Sequence, residues 1–126
     1  MKNKVISAKK APIAIGPYSH AVQANNGMLF ISGQLPIDPT TGEFVSKDIK
    51  EQTLQCLKNA QAILQEAGMD IENVCKTTVF LSDIAYFGEM NDVYAHFFGD
   101  IKPARSAFEV ACLPKNAKVE IEMIAA

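Results

Sequence analysis

The sequence is poor in the residues that form disulfides and bind metals. Its 126 residues include only three cysteines and two histidines. Cys56, Cys75 and Cys112 are widely spaced and form no C-x-x-C pair, and His20 is far from His96. A disulfide framework or a zinc site needs closer spacing or more ligands. We therefore expect no metal or cofactor, ordinary buried thiols at the cysteines, and surface or capping roles for the histidines.

Long apolar runs are also missing. No segment approaches the roughly 20 consecutive apolar residues that span a bilayer. The first 18 residues, MKNKVISAKKAPIAIGPY, carry charges but lack the apolar run of a secretory signal. The sequence therefore predicts a cytoplasmic protein with no membrane partner.

Basic clusters and the common catalytic motifs are absent as well. The formal net charge is −2 and no Lys/Arg cluster stands out, so nucleic acid is not expected as the main ligand. The phosphate-loop patterns G-x-x-x-x-G-K and G-x-G-x-x-G do not occur, nor do G-x-S-x-G and H-E-x-x-H. Nucleotide-binding, serine-hydrolase and zinc-hydrolase functions therefore have no support.

What the chain does contain is the composition of an ordinary globular domain. Hydrophobic residues make up 48% and charged residues 21%, close to the averages of soluble proteins. A chain of this length buries roughly two thirds of its unfolded surface when it folds, enough for a core of its own. We expect a single domain over residues 1–126.

Hydrophobic periodicity predicts the order strand, strand, helix, strand, helix, strand, strand. The first 20 residues are expected to be extended or irregular. Asn26-Gly27 is a hairpin signal between the first two strands, and the proline-containing segment 34–42 is a loop. The predicted strands are His20–Ala24, Met28–Gly33, Val74–Leu81, Arg105–Ala111 and Lys118–Ile124, and the predicted helices are Asp48–Ala67 and Asp83–Phe98.

Both predicted helices carry an apolar stripe. Ser46 or Asp48 can cap the start of the first helix, and Gly68 and Gly99 stand where the two helices end. The core-facing residues of the first helix are expected to be Ile49, Thr53, Leu57, Ala60, Leu64 and Ala67, with Leu54 and Ile63 widening the stripe. Those of the second helix are expected to be Ile84, Phe87, Val93, Tyr94 and Phe97.

The strands are expected to form one mixed α+β sheet. The strands flanking the first helix favour a right-handed crossover and a parallel pair. Two amphipathic helices would cover one face of this sheet. The opposite face is left uncovered, and the sequence pattern by itself does not explain why.

Alternation along the last two strands separates polar from apolar faces. Arg105, Ala107 and Glu109 share one face of their strand, and Glu120 and Glu122 share one face of the last strand. The opposite faces are expected to pack under the helices and carry Ser106, Phe108 and Val110 in one strand and Val119, Ile121 and Met123 in the other. The polar faces would then lie on the uncovered side, where a hairpin brings Arg105 near a glutamate.

Spacing leaves two interpretations of these polar residues open. One is a solvated sheet face with weak cross-strand ion pairs. The other is a small-anion site, in which a guanidinium binds a carboxylate through two parallel hydrogen bonds and a glutamate positions water. Likewise, Tyr18 could plug the end of the core, Gly33 could serve a turn, and Asn91 could be an exposed helix residue.

Five segments together resemble the Rid/YjgF family of reactive enamine/imine deaminases. They follow the family's order and span nearly the whole chain. The segments are Ala11–Tyr18 (APIAIGPY), Ile31–Pro36 (ISGQLP), Lys76–Leu81 (KTTVFL), Asn91–Phe98 (NDVYAHFF) and Pro103–Met123 (PARSAFEVACLPKNAKVEIEM).

The resemblance implies a chorismate-mutase-like α+β fold and a homotrimer. Three sheets would line a central barrel, the helices would lie outside, and the active sites would sit in clefts between subunits. By similarity, Arg105 holds the substrate carboxylate and Glu120 orients or activates water. The other positions that match the family's pocket are Tyr18, Ser32, Gly33, Phe87 and Asn91.

One position departs from the family pattern. Many members have cysteine two residues after the arginine, in P-A-R-S-C, whereas this chain has Ala107. A mechanism that depends on a thiol at this position is therefore excluded, and Ala107 is expected to contact substrate through its backbone only.

The implied reaction is the hydrolysis of 2-imino acids, or their enamine tautomers, released by pyridoxal-phosphate enzymes. The products would be 2-oxo acids and ammonia, and no cofactor is needed. The alternative is a non-catalytic, ligand-binding regulatory protein of the translation-inhibitor type that uses the same cleft. Ribonuclease activity would predict a basic groove, which the charge balance does not favour.

Overall fold

The computed structural model describes residues 2–126, and Met1 lies outside the described part. Its backbone forms a six-stranded mixed sheet with the strand order β1-β2-β3-β6-β4-β5. Two α-helices pack on one face of the sheet and form a single core with it. The elements are β1 (Lys4–Ile6), β2 (Ala21–Gln23), β3 (Leu29–Gln34), α1 (Ile49–Glu66), β4 (Val74–Leu81), α2 (Phe87–Phe98), β5 (Ala104–Glu109) and β6 (Val119–Ala125). The predicted mixed α+β class is confirmed.

The Asn26-Gly27 turn joins β2 and β3 into the predicted antiparallel hairpin. Gly27 has φ +92°, a left-handed conformation that residues with a side chain rarely adopt. The Asn26 side chain accepts a hydrogen bond from the Met28 N–H at 3.0 Å. Local turn chemistry therefore sets this register. The strand β1 was not predicted, because its three residues are too few to show an alternating pattern and, unlike those of β2, have no hairpin turn signal beside them.

Helix α1 begins and ends close to the predicted residues. Asp48 caps it by accepting a hydrogen bond from the Glu51 N–H at 3.0 Å, and Gly68 follows its end with φ +77°. The prediction that Leu54 widens the buried stripe is wrong, because its side chain is 37% exposed and lies beyond the stripe's edge. Gln52, Cys56 and Asn59 complete the buried face instead.

The second helix is shorter than predicted. A 3₁₀ turn, Ile84–Tyr86, precedes α2, and its tighter winding changes the direction of the first side chains. Ile84 is consequently 52% exposed, so its predicted place in the core is wrong. The buried positions of α2 are Met90, Tyr94 and Phe98, and the residues that pack partly against the core are Phe87, Val93 and Phe97. Neither helix within residues 2–126 has the length and apolar character needed to cross a membrane.

The pairing of the strands differs from the predicted pairing in two ways. The parallel pair is β4–β5, joined through α2, whereas β3 and β4 are both antiparallel to β6, which lies between them. The predicted hairpin between β5 and β6 does not form, because β4 separates these strands. Burial explains the arrangement: four residues of β6 are buried and none of β5 is, so β6 is central and β5 forms the edge.

Cysteines and histidines depart from their predicted surroundings at three positions. Cys56 is buried and His96 is exposed in the last turn of α2, as expected. Cys75 is exposed because it alternates with the buried Val74 along β4, and Cys112 is exposed in the segment after β5. His20 is buried rather than at the surface.

His20 ties the irregular segment between β1 and β2 to the sheet. Its Nδ1 accepts a hydrogen bond from the Ala8 N–H at 2.9 Å, so Nε2 carries the proton and donates to the Pro12 carbonyl at 2.6 Å. The same segment continues to Tyr18. The histidine thus holds in place a stretch that has no strand or helix of its own.

Replacing His20 with alanine is expected to lower the free energy of unfolding by about 2–4 kcal/mol, because two buried hydrogen bonds are lost and a cavity remains. Urea denaturation followed by circular dichroism measures the change. His96 is exposed, so the His96→Ala variant serves as the control and should unfold at the same urea concentration as the wild type. Equal midpoints for His20→Ala and the wild type would contradict this role.

Candidate functional site

The structure places Arg105 on the helix-covered face of the sheet. Residues paired in register point to the same side, and Arg105 is paired with the buried Thr77, just as Glu109 is paired with the buried Leu81. The prediction that Arg105 and Glu109 lie on the uncovered face is therefore wrong. Alternation correctly gave the two faces of β5, but it did not show which one the helices cover.

The opposite face of the sheet, called here the open face, carries Glu120, Glu122 and Phe108. Glu120 and Phe108 are both paired with Phe80 of β4. The rings of Phe80 and Phe108 meet edge to face at 5.6 Å, and Phe108 remains 45% exposed. The prediction that the Phe108 face of β5 packs under the helices is wrong, whereas the predicted facing of β6 is confirmed.

Three residues, Phe87, Asn91 and Tyr94, hold the guanidinium of Arg105, and the four together are called here the arginine cluster. Arg105 Nη1 donates to Asn91 Oδ1 at 2.8 Å. Its Cζ lies 4.7 Å from the centre of the Tyr94 ring and 5.5 Å from that of Phe87, distances typical of cation–π contact. The guanidinium borders a cleft of about 390 Å³ between the end of α2 and the start of β5.

The arginine cluster has an unusual charge balance. Within residues 2–126, no carboxylate forms an ion pair with the half-buried Arg105. Its neighbours are a neutral amide and the faces of two aromatic rings. A partly desolvated cation without a counter-ion is suited to receive an anion, and the planar guanidinium matches a carboxylate best.

Four other predicted residues border a second cleft, of about 410 Å³, and are called here the glutamate cluster: Tyr18, Ser32, Gly33 and Glu120. Ser32 fixes the N-terminal segment, because its hydroxyl donates to the Ser19 carbonyl at 2.6 Å. Tyr18 is exposed and does not plug the core. This cluster lies at the end of β3, where the pairing with β6 shifts register between Ile31 and Gln34.

Gly33 leaves the space that the Glu120 carboxylate occupies. A Cβ atom at residue 33 would lie 1.9 Å from Glu120 Oε2, far inside van der Waals contact. Glycine is therefore present for close approach of a side chain rather than for a left-handed turn, and the position of the carboxylate depends on it.

Burial raises the pKa of Glu120, and the neighbouring charge of Glu122 raises it further. A carboxyl group with a raised pKa accepts a proton more readily near neutral pH than an ordinary glutamate does. Its ionised fraction falls as the pH drops through that raised pKa. Glu120 is thus suited to take a proton from water and return it.

The two clusters do not meet within one chain. The arginine cluster lies on the helix-covered face and the glutamate cluster at the open face, so the sheet separates them. Ala107 lies on the Arg105 face, partly packed against the core, and lines neither cleft within residues 2–126. In the same part of the chain, no three His, Cys, Asp or Glu side chains are placed to hold a metal ion.

Tyr94 is the part of the site that the sequence pattern did not identify. Periodicity predicted it only as a core residue. It follows Asn91 by three residues and Phe87 by seven, so the three share one side of α2. A buried phenol also needs a polar partner. That requirement is the feature of the sequence from which a role of Tyr94 beyond the core could have been inferred.

Comparison with known proteins finds relatives of this chain in sequence and in fold. Residues 8–126 match the family model described as Endoribonuclease L-PSP. A RutC family protein of Pyrococcus horikoshii is 55% identical over 97% of this chain and 96% of its own length. A mouse protein named 2-iminobutanoate/2-iminopropanoate deaminase is 50% identical over 97% of this chain and 90% of its own length. The crystal structure of an Entamoeba histolytica protein, named as an endoribonuclease L-PSP candidate, superimposes with a TM-score of 0.96 at 46% identity, covering 99% of both chains.

The mixed six-stranded sheet with two helices is the fold of that solved structure. The chain belongs to the Endoribonuclease L-PSP family, which is the Rid/YjgF family that its motifs resemble. The enzyme name carried by the mouse relative agrees with the predicted deaminase class.

Proposed function

We propose that the protein hydrolyses 2-imino acids such as 2-iminobutanoate and 2-iminopropanoate, and their enamine tautomers, to 2-oxo acids and ammonia. The observation that carries the proposal is the half-buried guanidinium of Arg105, held by Asn91 and two aromatic rings without a carboxylate partner among residues 2–126. The name of the mouse relative supports the same substrates.

The proposal includes a homotrimer with composite sites. The arginine cluster of one subunit would face the glutamate cluster of its neighbour across a shared cleft. Two observations support this arrangement. The clusters lie on opposite faces of one chain, and the open face exposes Val5, Phe30 and Phe108, large apolar side chains typical of a surface that a partner covers.

In the proposed mechanism, Arg105 binds the substrate carboxylate through two parallel hydrogen bonds and stays protonated throughout. Anchoring the carboxylate orients the iminium carbon towards water, which lowers the entropic part of the barrier. Ala107 offers no nucleophile, so water is the attacking group.

Glu120 moves the protons. As the water oxygen bonds to the iminium carbon, the C=N π electrons become the nitrogen lone pair, and Glu120 takes the water proton. The protonated Glu120 then delivers that proton to the nitrogen. The C–N bond breaks with its electrons passing to nitrogen, ammonia leaves, and Glu120, again a carboxylate, takes the remaining hydroxyl proton as the 2-oxo acid forms. The raised pKa of Glu120 suits both halves of this exchange.

Arg105→Ala is expected to lower kcat/KM for imine hydrolysis about 1,000-fold, because the anchor is lost. Arg105→Lys should also be poor, since a point charge cannot reproduce the guanidinium fork. Ammonia release is measured with imines generated by a threonine dehydratase or an amino-acid oxidase, after subtraction of uncatalysed hydrolysis. Lys58→Ala, which removes an exposed cation of α1, is the matched control. Normal turnover by Arg105→Ala would exclude the proposed role.

The same assay distinguishes the regulatory alternative and the ribonuclease named in the family description. A wild-type protein that binds 2-oxobutanoate without accelerating ammonia release would be a ligand-binding protein. Salt-sensitive cleavage of RNA that survives Arg105→Ala would indicate a nuclease. The net charge of −2 gives little attraction for a polyanion.

A further inference from the structure

The proposed carboxylate anchor, Arg105, forms a closed triangle of contacts with Thr77 and Tyr94. Thr77 and Arg105 are register partners on the parallel strands β4 and β5. The Tyr94 hydroxyl shares a buried hydrogen bond of 2.7 Å with Thr77 Oγ1. The face of the Tyr94 ring lies 4.7 Å from Arg105 Cζ. One side chain of α2 therefore connects the arginine to the strand beside it.

The Tyr94 ring has little freedom to move. Its hydroxyl end is held by Thr77, which is fully buried. Its side packs against Phe98, with the ring centres 4.8 Å apart and tilted by 49°. A ring fixed at its tip and at its side presents a rigid surface to the guanidinium. A rigid platform reduces the conformational freedom that a long arginine side chain otherwise loses on binding.

The other two contacts of Arg105 do less to set its plane. Asn91 accepts a single hydrogen bond from one guanidinium nitrogen, and one such bond does not fix the rotation of the guanidinium plane about it. Phe87 lies farther away, at 5.5 Å. Burial also raises the pKa of the Tyr94 phenol, despite its hydrogen bond with Thr77 and the nearby charge of Arg105. The phenol therefore stays neutral and does not neutralise the guanidinium.

We propose that Tyr94, held by its hydrogen bond to Thr77, is the positioning residue that sets the plane of the Arg105 guanidinium for two-point binding of a 2-oxo or 2-imino carboxylate. This inference rests on the proposed function of Arg105 as the anchor. It adds a specific expectation: the aromatic face matters most, and the hydroxyl matters through Thr77 alone.

Four variants test the triangle: Tyr94→Leu, Tyr94→Phe, Thr77→Val and the double variant Tyr94→Phe/Thr77→Val. Tyr94→Leu keeps an apolar side chain but removes the ring face, and we expect the Kd for 2-oxobutanoate and the KM for the imine to rise about 10-fold. Tyr94→Phe keeps the ring and should stay within about 3-fold of the wild type. The double variant should be no worse than either hydroxyl deletion, because both remove one bond.

Phe97→Leu is the matched control, since it removes a ring of α2 that packs on Phe98. Calorimetric titration with 2-oxobutanoate gives Kd, steady-state assay separates KM from kcat, and thermal unfolding reports stability. A purely structural Tyr94 would lower the melting temperature like Phe97→Leu and leave Kd unchanged. If Tyr94→Leu does not fold, the double variant decides. Losses of 2-oxobutanoate affinity in Tyr94→Phe and Thr77→Val that add up in the double variant would overturn the proposal.

The outcomes separate this inference from the proposed function. If the wild type does not release ammonia, the proposed deaminase activity is excluded. The Kd values of the Tyr94 and Thr77 variants for 2-oxobutanoate still test the role of Tyr94. If Arg105→Ala loses 2-oxobutanoate binding and Tyr94→Leu does not, only the positioning role fails. If the wild type and Arg105→Ala bind equally, the anchor and the positioning role both fail.

Discussion

Trimers assembled at random from equal amounts of Arg105→Ala and Glu120→Gln subunits are expected to regain about a quarter of the wild-type deaminase activity, although each variant alone is inactive. The sheet places the arginine cluster and the glutamate cluster on opposite faces of one chain, so each proposed site takes its arginine from one subunit and its glutamate from the next. In a random equal mixture, half of the arginine clusters and half of the glutamate clusters are intact, and the product is a quarter.

Co-expression of the two subunits in equal amounts, with purification through one tag that both subunits carry, yields this random population, and ammonia release measures its activity. Trimers of Arg105→Ala with the Arg105→Ala/Glu120→Gln double variant contain no complementing pair and should stay inactive. Wild type mixed equally with the double variant gives a further distinction: about a quarter of full activity for composite sites, and about half for sites within one chain. If trimers formed from Arg105→Ala subunits and Glu120→Gln subunits are inactive, the composite site is refuted.

Gly33→Ala is expected to lower kcat about 100-fold with little loss of stability, because a misplacement of about 1 Å at a reacting group has effects of this size. The new methyl group would lie 1.9 Å from Glu120 Oε2, 2.9 Å from its Cδ and 3.2 Å from its Cγ. These atoms belong to the end of a flexible side chain, so the carboxylate can swing aside while the backbone stays in place. The displaced carboxylate would no longer hold the attacking water.

Gly88→Ala is the matched control for this substitution. Gly88 lies in α2, and a Cβ atom there meets nothing within 4 Å, so alanine should stabilise the helix slightly and leave turnover unchanged. Thermal unfolding and steady-state kinetics compare the two variants. Wild-type kcat in Gly33→Ala would show that the position of Glu120 does not matter to the reaction, whereas a large loss of stability would show that the strand itself had been disturbed.

Local patterns in the sequence determined much of the fold. The apolar spacing in α1, its Asp48 cap and the Gly68 that follows it depend on neighbours within a few residues, and all three are found where they were predicted except for Leu54 at the edge of the stripe. The Asn26-Gly27 hairpin and the strand Val74–Leu81 depend on equally local chemistry. The motifs also identified the family, because residue types in a given order do not require knowledge of their contacts.

Only the tertiary structure decided how the faces of the strands are used. Alternation assigns residues to two faces, but the neighbouring strands and helices determine which face is covered. β6 lies between β3 and β4, β5 forms the edge, and the register of β5 with β4 places Arg105 beside the buried Thr77 on the helix side. These contacts join residues far apart in sequence, so no local period encodes them. The same packing places Glu120 on the opposite face from Arg105, which is why the proposed site needs a second copy of the chain.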